Sequence, residues 1–257
     1  MIYFCHVERT GGTSIHSYFA KYFAAEGPVR SGAFIPGRAY FVVSGPHELG
    51  DACRLVQQLP DRRFYMGGHV GLHHLQAEGI EIADSDVVFT LVRDPVERAV
   101  SLYYLLQRGP EWFGEAAFRA AGWGFEYFYC CIRDLGLFHN DHCRLIANSE
   151  SFETTIACIK RYFNLVGASS RIYSIEKGLE QLCGPIVPDF RISRARENAA
   201  WHEQNVSGEW VRKTAIDHLV SARLHDRIVR ENEADMMLVD FVERIHGGLF
   251  LRDPQRI

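Results

Sequence analysis

The first hundred residues alternate short apolar runs with stretches of helical spacing. Ile2–Val7 is apolar and rich in β-formers, and a loop at Glu8–Gly12 follows it. From Thr13 to about Ala25, apolar residues at Ile15, Tyr18, Phe19 and Tyr22 keep the i, i+3, i+4 spacing of one helix face. Phe41–Val43 predicts a second strand, and Arg63–Met66 a third that ends in a turn at Gly67-Gly68. Val87–Val92 (VVFTLV) is an apolar run with Thr90 as its one polar member, typical of a strand buried on both faces. Pro95 then sits where a helix begins, and Ala99, Val100, Leu102, Tyr103 and Leu106 continue it. Strand–loop–helix units in this order predict a parallel sheet with helices on both faces.

From about Glu111 to Ile257 the pattern is mostly helical, clearest over Ser151–Phe163 and Trp210–Gly247. Asn164–Gly167 (NLVG) reads as a late strand, and Gly184–Asn198 as irregular chain broken by Gly184, Pro185 and Pro188. No repeat, low-complexity tract or polar linker interrupts the sequence. The expectation is one α/β domain over residues 1–257, with a helix-rich C-terminal half.

Composition narrows the chemistry. Twenty-eight basic against 32 acidic residues give a net charge of −4, which argues against non-specific nucleic-acid binding but leaves room for a small anion. The seven cysteines are scattered and show no zinc-ligand spacing, so they read as reduced, buried small residues. No apolar run approaches the ~18–20 residues of a membrane span. The start, MIYFCHVERT, reads as a strand and not as a signal peptide. These features favour a cytoplasmic bacterial protein, or a Golgi-lumen domain if an anchor has been trimmed.

Two junctions carry phosphate-binding character. In Cys5–Ser14 a strand runs into a glycine turn and then a helix start. Gly11 and Gly12 allow close backbone approach, Thr10, Thr13 and Ser14 bring hydroxyls, and Arg9 brings a fixed charge. The competing reading is a plain turn with Thr10 or Thr13 as a helix cap. A Walker A loop is absent, since no GxxxxGK followed by Ser or Thr occurs. In Leu91–Ser101, Arg93 lies where a buried strand emerges, and Ser101 falls two helical turns beyond it. A forked guanidinium and a hydroxyl suit one phosphate. The plainer alternative pairs Arg93 with Asp94 and leaves Pro95 as a helix starter.

Together the two motifs resemble those of the sulfotransferases that use 3′-phosphoadenosine 5′-phosphosulfate (PAPS), especially the carbohydrate branch that includes heparan sulfate 2-O-sulfotransferase and bacterial relatives. Cys5–Ser14 is similar to the family's 5′-phosphosulfate loop, HxPKTGGTS, and Val92–Ser101 to its 3′-phosphate motif, RDPxxRxxS, followed by an aromatic pair, here Tyr103-Tyr104. Weaker counterparts follow in order at Gly68–Val70, Asn140–Arg144, Tyr162–Gly167 and Asn232–Val242. The resemblance implies a P-loop-like three-layer sandwich with a central parallel sheet. It implies a sulfuryl transfer from PAPS, as co-substrate and without a metal, to a carbohydrate or glycoconjugate hydroxyl. Arg9, Thr10, Gly11, Gly12, Thr13 and Ser14 would hold the 5′-phosphosulfate, and Arg93 and Ser101 the 3′-phosphate. The chain departs from the family at Glu8, usually proline, and at Arg9, usually a lysine that neutralises the leaving phosphate.

His69, in the segment Gly68-His69-Val70, matches the branch's catalytic base, and an imidazole with a pKa near ~6.5 suits that task. The branch has a second histidine two residues earlier, where this chain has Gly67. His73 and His74 are fallback bases, His6 is expected to be structural, and His47 with Glu48 forms a possible pair elsewhere. Over Gln107–Tyr129 the aromatic residues read mainly as helical core, with an acceptor-covering lid through Trp112, Trp123 or Tyr127 as the alternative. Arg133, Asn140 and Arg144 are candidates for acceptor contacts. Two other functions stay open: a phosphotransferase, which lacks its Walker lysine here, and a non-catalytic nucleotide-binding protein.

Overall fold

The computed structural model describes residues 1–23, 40–59, 63–107, 114–136, 138–192, 216 and 218–252. They fall into two compact units. The first comprises Met1–Val92, His142–Ile192 and Met237–Ile257, and the second comprises Arg93–Asp141 and Ser193–Met236.

The first unit is built on a six-stranded sheet: β1 (Ile2–Cys5), β2 (Tyr40–Val43), β3 (Tyr65–Gly68), β4 (Val87–Val92), β5 (Leu165–Ala168) and β6 (Leu249–Leu251). Their spatial order is β2-β3-β1-β4-β5-β6, and only β6 runs antiparallel to its neighbour. Alternation along β1 explains the layers. Ile2 and Phe4 pack with Ile15 and Phe19 of α1 (Gly12–Phe23) and with Ile175 and Leu179 of α9 (Ile172–Cys183). Tyr3 and Cys5 point to the other face, where the Tyr3 hydroxyl donates to the Val70 carbonyl and the Cys5 thiol to the Leu145 carbonyl. Helix α2 (Pro46–Val56) packs beside β2, and α3 (Leu72–Ala77) beside α2. The unit is therefore an α/β sandwich around a mostly parallel sheet.

Chain order places a reversal at β1. The chain passes from β1 out to β2, returns to β3 beside β1, then crosses to β4 on β1's other side. Open parallel sheets form ligand crevices at such a switch point, beyond the carboxyl ends of the strands. The loops after β1, β3 and β4 all leave from that edge.

The second unit is helical. Helix α4 (Pro95–Leu106) starts on Asp94, whose carboxylate accepts from the Glu97 N–H at 3.0 Å, with Pro95 in the first turn. Its apolar side packs with α5 (Gly114–Gly122), α6 (Phe125–Asp134) and α10 (Ala222–Glu231) through residues such as Tyr103, Phe128, Ile132 and Ile228. Asn232 separates α10 from α11 (Glu233–Asp240), because its amide is turned inward: its oxygen accepts from the Asn140 N–H at 3.0 Å and its nitrogen donates to the Ile228 carbonyl at 2.9 Å.

Three sequence expectations shift. Gly67 and Gly68 are not a turn after the third strand but its last two residues. A Cβ on Gly68 would lie 1.9 Å from the Val43 carbonyl oxygen, so only glycine lets β2 and β3 approach there. The helical run Trp210–Gly247 resolves, within the described residues, into α10, α11 and a π turn at Phe241–Ile245. Strand β6 was not foreseen; three residues behind Gly247-Gly248 carry no periodic signal.

Phe89 of β4 stacks on Phe4 at 4.7 Å and touches Phe19 at 5.8 Å, fully buried. Phe89→Ala should lower unfolding free energy by about 3–5 kcal/mol, read as an earlier urea midpoint with native circular dichroism below the transition.

Candidate active site

The turn between β1 and α1 is shaped by left-handed backbone at Arg9 (φ 63°) and Gly11 (φ 101°). Left-handed backbone ahead of a helix start is a conformation in which successive N–H groups can face an anion. Arginine in that conformation is strained by about 1 kcal/mol or more. Gly12 has a different reason to be glycine: a Cβ there would fall 1.9 Å from Nε2 of His6. The helix start thus lies directly on that imidazole. Thr10 is buried, and its hydroxyl donates inward to the Val7 carbonyl at 2.7 Å, so it braces the turn. Thr13 is exposed and Ser14 half-exposed at the first turn of α1.

His69 follows β3 directly and joins the same edge. Its main-chain N–H donates to the Val43 carbonyl at 3.2 Å, while the His6 N–H donates to the Gly68 carbonyl at 2.9 Å. Nδ1 of His69 lies 2.8 Å from the His6 carbonyl oxygen. A carbonyl only accepts, so Nδ1 carries the proton and Nε2 is the bare nitrogen of the neutral ring. Glu8 places a carboxylate oxygen 3.8 Å from that Nε2, within ion-pair range once the ring is protonated. The side chain of His69 is 32% exposed, enough to be reached from solvent.

Behind this surface lies a buried polar chain. The Tyr65 hydroxyl is 2.6 Å from Nδ1 of His16, and Nε2 of His16 is 3.2 Å from Nδ1 of His6. The rings of His6 and His69 are 4.5 Å apart, and Phe4 stacks on His6 at 5.0 Å. Burial first, then the nearby charge of His69, holds His16 down to about 3. Burial likewise puts His6 well below the ordinary imidazole range, with His69, His16 and Arg9 adding to it. The Tyr65 phenol is pushed well up, mainly by burial. All three are neutral at neutral pH. Gly67 also finds its explanation here, because a Cβ on it would lie 2.6 Å from the Tyr65 hydroxyl and 2.7 Å from the His16 ring. There is no room at position 67 for the second histidine of the resembled branch.

Arg93 comes directly after β4, the neighbour of β1. Its Nε lies 3.2 Å from Glu97, not paired with Asp94, which caps α4 instead. Burial of Asp94 raises its carboxyl above the usual range, opposed by its backbone hydrogen bonds. Ser101 lies half-exposed on α4, two turns along. Arg98 is buried, 2.5 Å from Asp141 and over the Phe138 ring at 4.0 Å, which makes it a structural member of the motif.

The other candidates take the following places. The His74 Nδ1 accepts from the Gly71 N–H at the start of α3, and His73 lies beside it with rings 3.8 Å apart. His47 is exposed near Glu48 at 3.8 Å on α2. Asn140 is buried, and its oxygen accepts from the Asp235 N–H at 3.2 Å. Arg133 is ion-paired with Glu231 and Asp134. Arg144 lies on α7 (Asp141–Ala147). Phe125, Phe128 and Tyr129 are core, whereas Trp123 and Tyr127 are 72% and 64% exposed, edge-to-face at 6.2 Å beside a shallow pocket of about 450 Å³. Trp112 lies outside the described residues. Every cysteine is a free thiol. Among the described residues no helix is long and apolar enough to cross a membrane, and no cluster of three metal-ligating side chains occurs.

Fold and site together define a class: an α/β protein with a left-handed glycine turn and a backbone-bonded histidine at the switch point of its sheet. The chain matches no protein-family model and no curated protein.

The two residues that sequence reading passed over are His16 and Tyr65. The clue was present, since His16 stands between Ile15 and Phe19 on the apolar face of α1. Because His6 and His16 titrate far below the unfolded value of about 6.5, their contribution to stability is full above that pH. It drains as pH falls toward 3, since only the unfolded chain takes up the protons. Stability should drop by about 1.4 kcal/mol per pH unit for each group below pH 6. Urea midpoints from pH 7.5 to 5 check this, and His16→Phe should flatten the slope by about one proton.

Proposed function

We propose that the chain is a sulfotransferase that uses PAPS to sulfate a carbohydrate hydroxyl. The observation that carries the reading is His69: its Nδ1 is committed to the His6 carbonyl, which leaves Nε2 as a base beside the glycine turn that opens α1. The fit to a phosphosulfate is favourable at the turn. Left-handed backbone at Arg9 and Gly11, directly ahead of the start of α1, is the feature that favours a close-lying anion.

In this reading the N–H groups at the start of α1, with Thr13, Ser14 and Arg9, hold the 5′-phosphosulfate. Arg93 and Ser101 take the 3′-phosphate. His69 Nε2 accepts the proton of the acceptor hydroxyl as its O–H bond breaks and its oxygen bonds to sulfur. Arg9 and the helix start neutralise the 5′-phosphate as its bond to sulfur breaks. Donors already aimed at developing charge are worth about 10²–10³ in rate each. Arg9, strained and planar, replaces the mobile ammonium of the resembled family, so slow turnover is expected. Glu8 then serves the imidazolium that forms, through the 3.8 Å approach to Nε2.

Radiolabelled PAPS with a panel of glycans tests the proposal. Wild type should transfer label. His69→Ala should lose about 10²–10⁴ in kcat with unchanged affinity for 3′-phosphoadenosine 5′-phosphate, and Arg93→Ala should lose about 10- to 100-fold in that affinity. Binding without transfer would establish a nucleotide-binding protein instead. Binding of ATP with magnesium, and not of the 3′-phosphorylated nucleotide, would overturn both.

A further inference from the structure

Two polar side chains of the core, His16 and Tyr65, reach neither solvent nor the site edge, yet they end on the residue that organises both halves of the site. Tyr65 is fully buried on β3, and His16 is 7% exposed on α1. Phenylalanine at either place would fill the space without burying polar atoms. Retaining two polar groups in an apolar layer is unfavourable unless their hydrogen bonds are made. Here they are made in series: Tyr65 hydroxyl to His16 Nδ1 at 2.6 Å, and His16 Nε2 to His6 Nδ1 at 3.2 Å. The Tyr40 hydroxyl donates to the His16 main-chain carbonyl at 3.1 Å, fixing α1 where the chain passes through it.

His6 is where this chain becomes functional. Its ring carries Gly12, its carbonyl holds His69 Nδ1, and its N–H is tied to the end of β3. Phe4 stacks on it at 5.0 Å and the His69 ring lies tilted against it at 4.5 Å. Stacking fixes the plane of the ring but not which edge faces inward. Among the described residues the hydrogen bond to His16 selects the edge, and a ring turned over would present different atoms to Gly12 and to His69.

We propose that His16 and Tyr65 are positioning residues: acting through His6, they set the height of the anion-binding turn and hold the base in one tautomer. The inference rests on His69 being the base of the proposed reaction. It adds that the precision of that base is set from inside the core, by groups that never touch a substrate.

Tyr65→Phe removes one oxygen and keeps the stacking with Phe19 and Tyr40; His16→Phe removes the middle of the chain. Nitrogen-15 spectra of the free protein should show a single His69 tautomer, with Nδ1 protonated, in wild type and a mixture in both variants. With PAPS and an acceptor in single turnover, Tyr65→Phe should slow transfer about 10- to 100-fold, while acceptor KM stays within about twofold. Should His16→Phe fail to fold, Tyr65→Phe alone decides the matter. A folded Tyr65→Phe protein with a wild-type His69 spectrum overturns the proposal, as does one with a wild-type transfer rate. If wild type transfers no sulfuryl group, the proposed function falls, and the spectra still report whether the buried chain sets the tautomer.

Discussion

Gly12 begins α1 hard against the ring of His6, in space that a methyl group would need. An imidazole fits where an aliphatic side chain would not, because it stacks flat on Phe4 and still offers a nitrogen to the interior. The same residue offers its carbonyl to His69. Turn, His69 and core are therefore coupled through one side chain and its own backbone.

This coupling explains why the site can be built from parts with poor local energetics. Arg9 occupies left-handed backbone, and two imidazoles and a phenol are buried. Each is unfavourable alone. The surrounding aromatic layer, with Phe19, Tyr40, Tyr65 and Phe89 stacked or tilted on one another, supplies the apolar burial that offsets them. Strain of this kind belongs at a functional edge, where geometry matters more than stability.

The second unit has a different logic. Its buried polar residues, Asn140, Asn232 and Arg98, join loops to helices. Asn140 and Arg133 looked on sequence grounds like acceptor contacts, and both are satisfied within the unit. Spacing distinguishes a polar residue from an apolar one but not a ligand from a strut, since both roles ask for the same donors.

What the sequence determined by itself was local. β4 is legible because five of its six residues are apolar and need burial on both faces, α4 because Pro95 and Asp94 mark its start, and the β1–α1 turn because glycines, hydroxyls and a cation follow a strand. Those signals depend only on neighbours in the chain. Tertiary structure decided the rest: that Gly67-Gly68 ends a strand, that a three-residue β6 exists, and that His16 rather than a residue at position 67 fills the space beside Tyr65. Each of these depends on a partner far along the chain, such as Val43 for Gly68 or His6 for His16. A side chain's role is set by what it is packed against, and that pairing is formed only when the strands assemble.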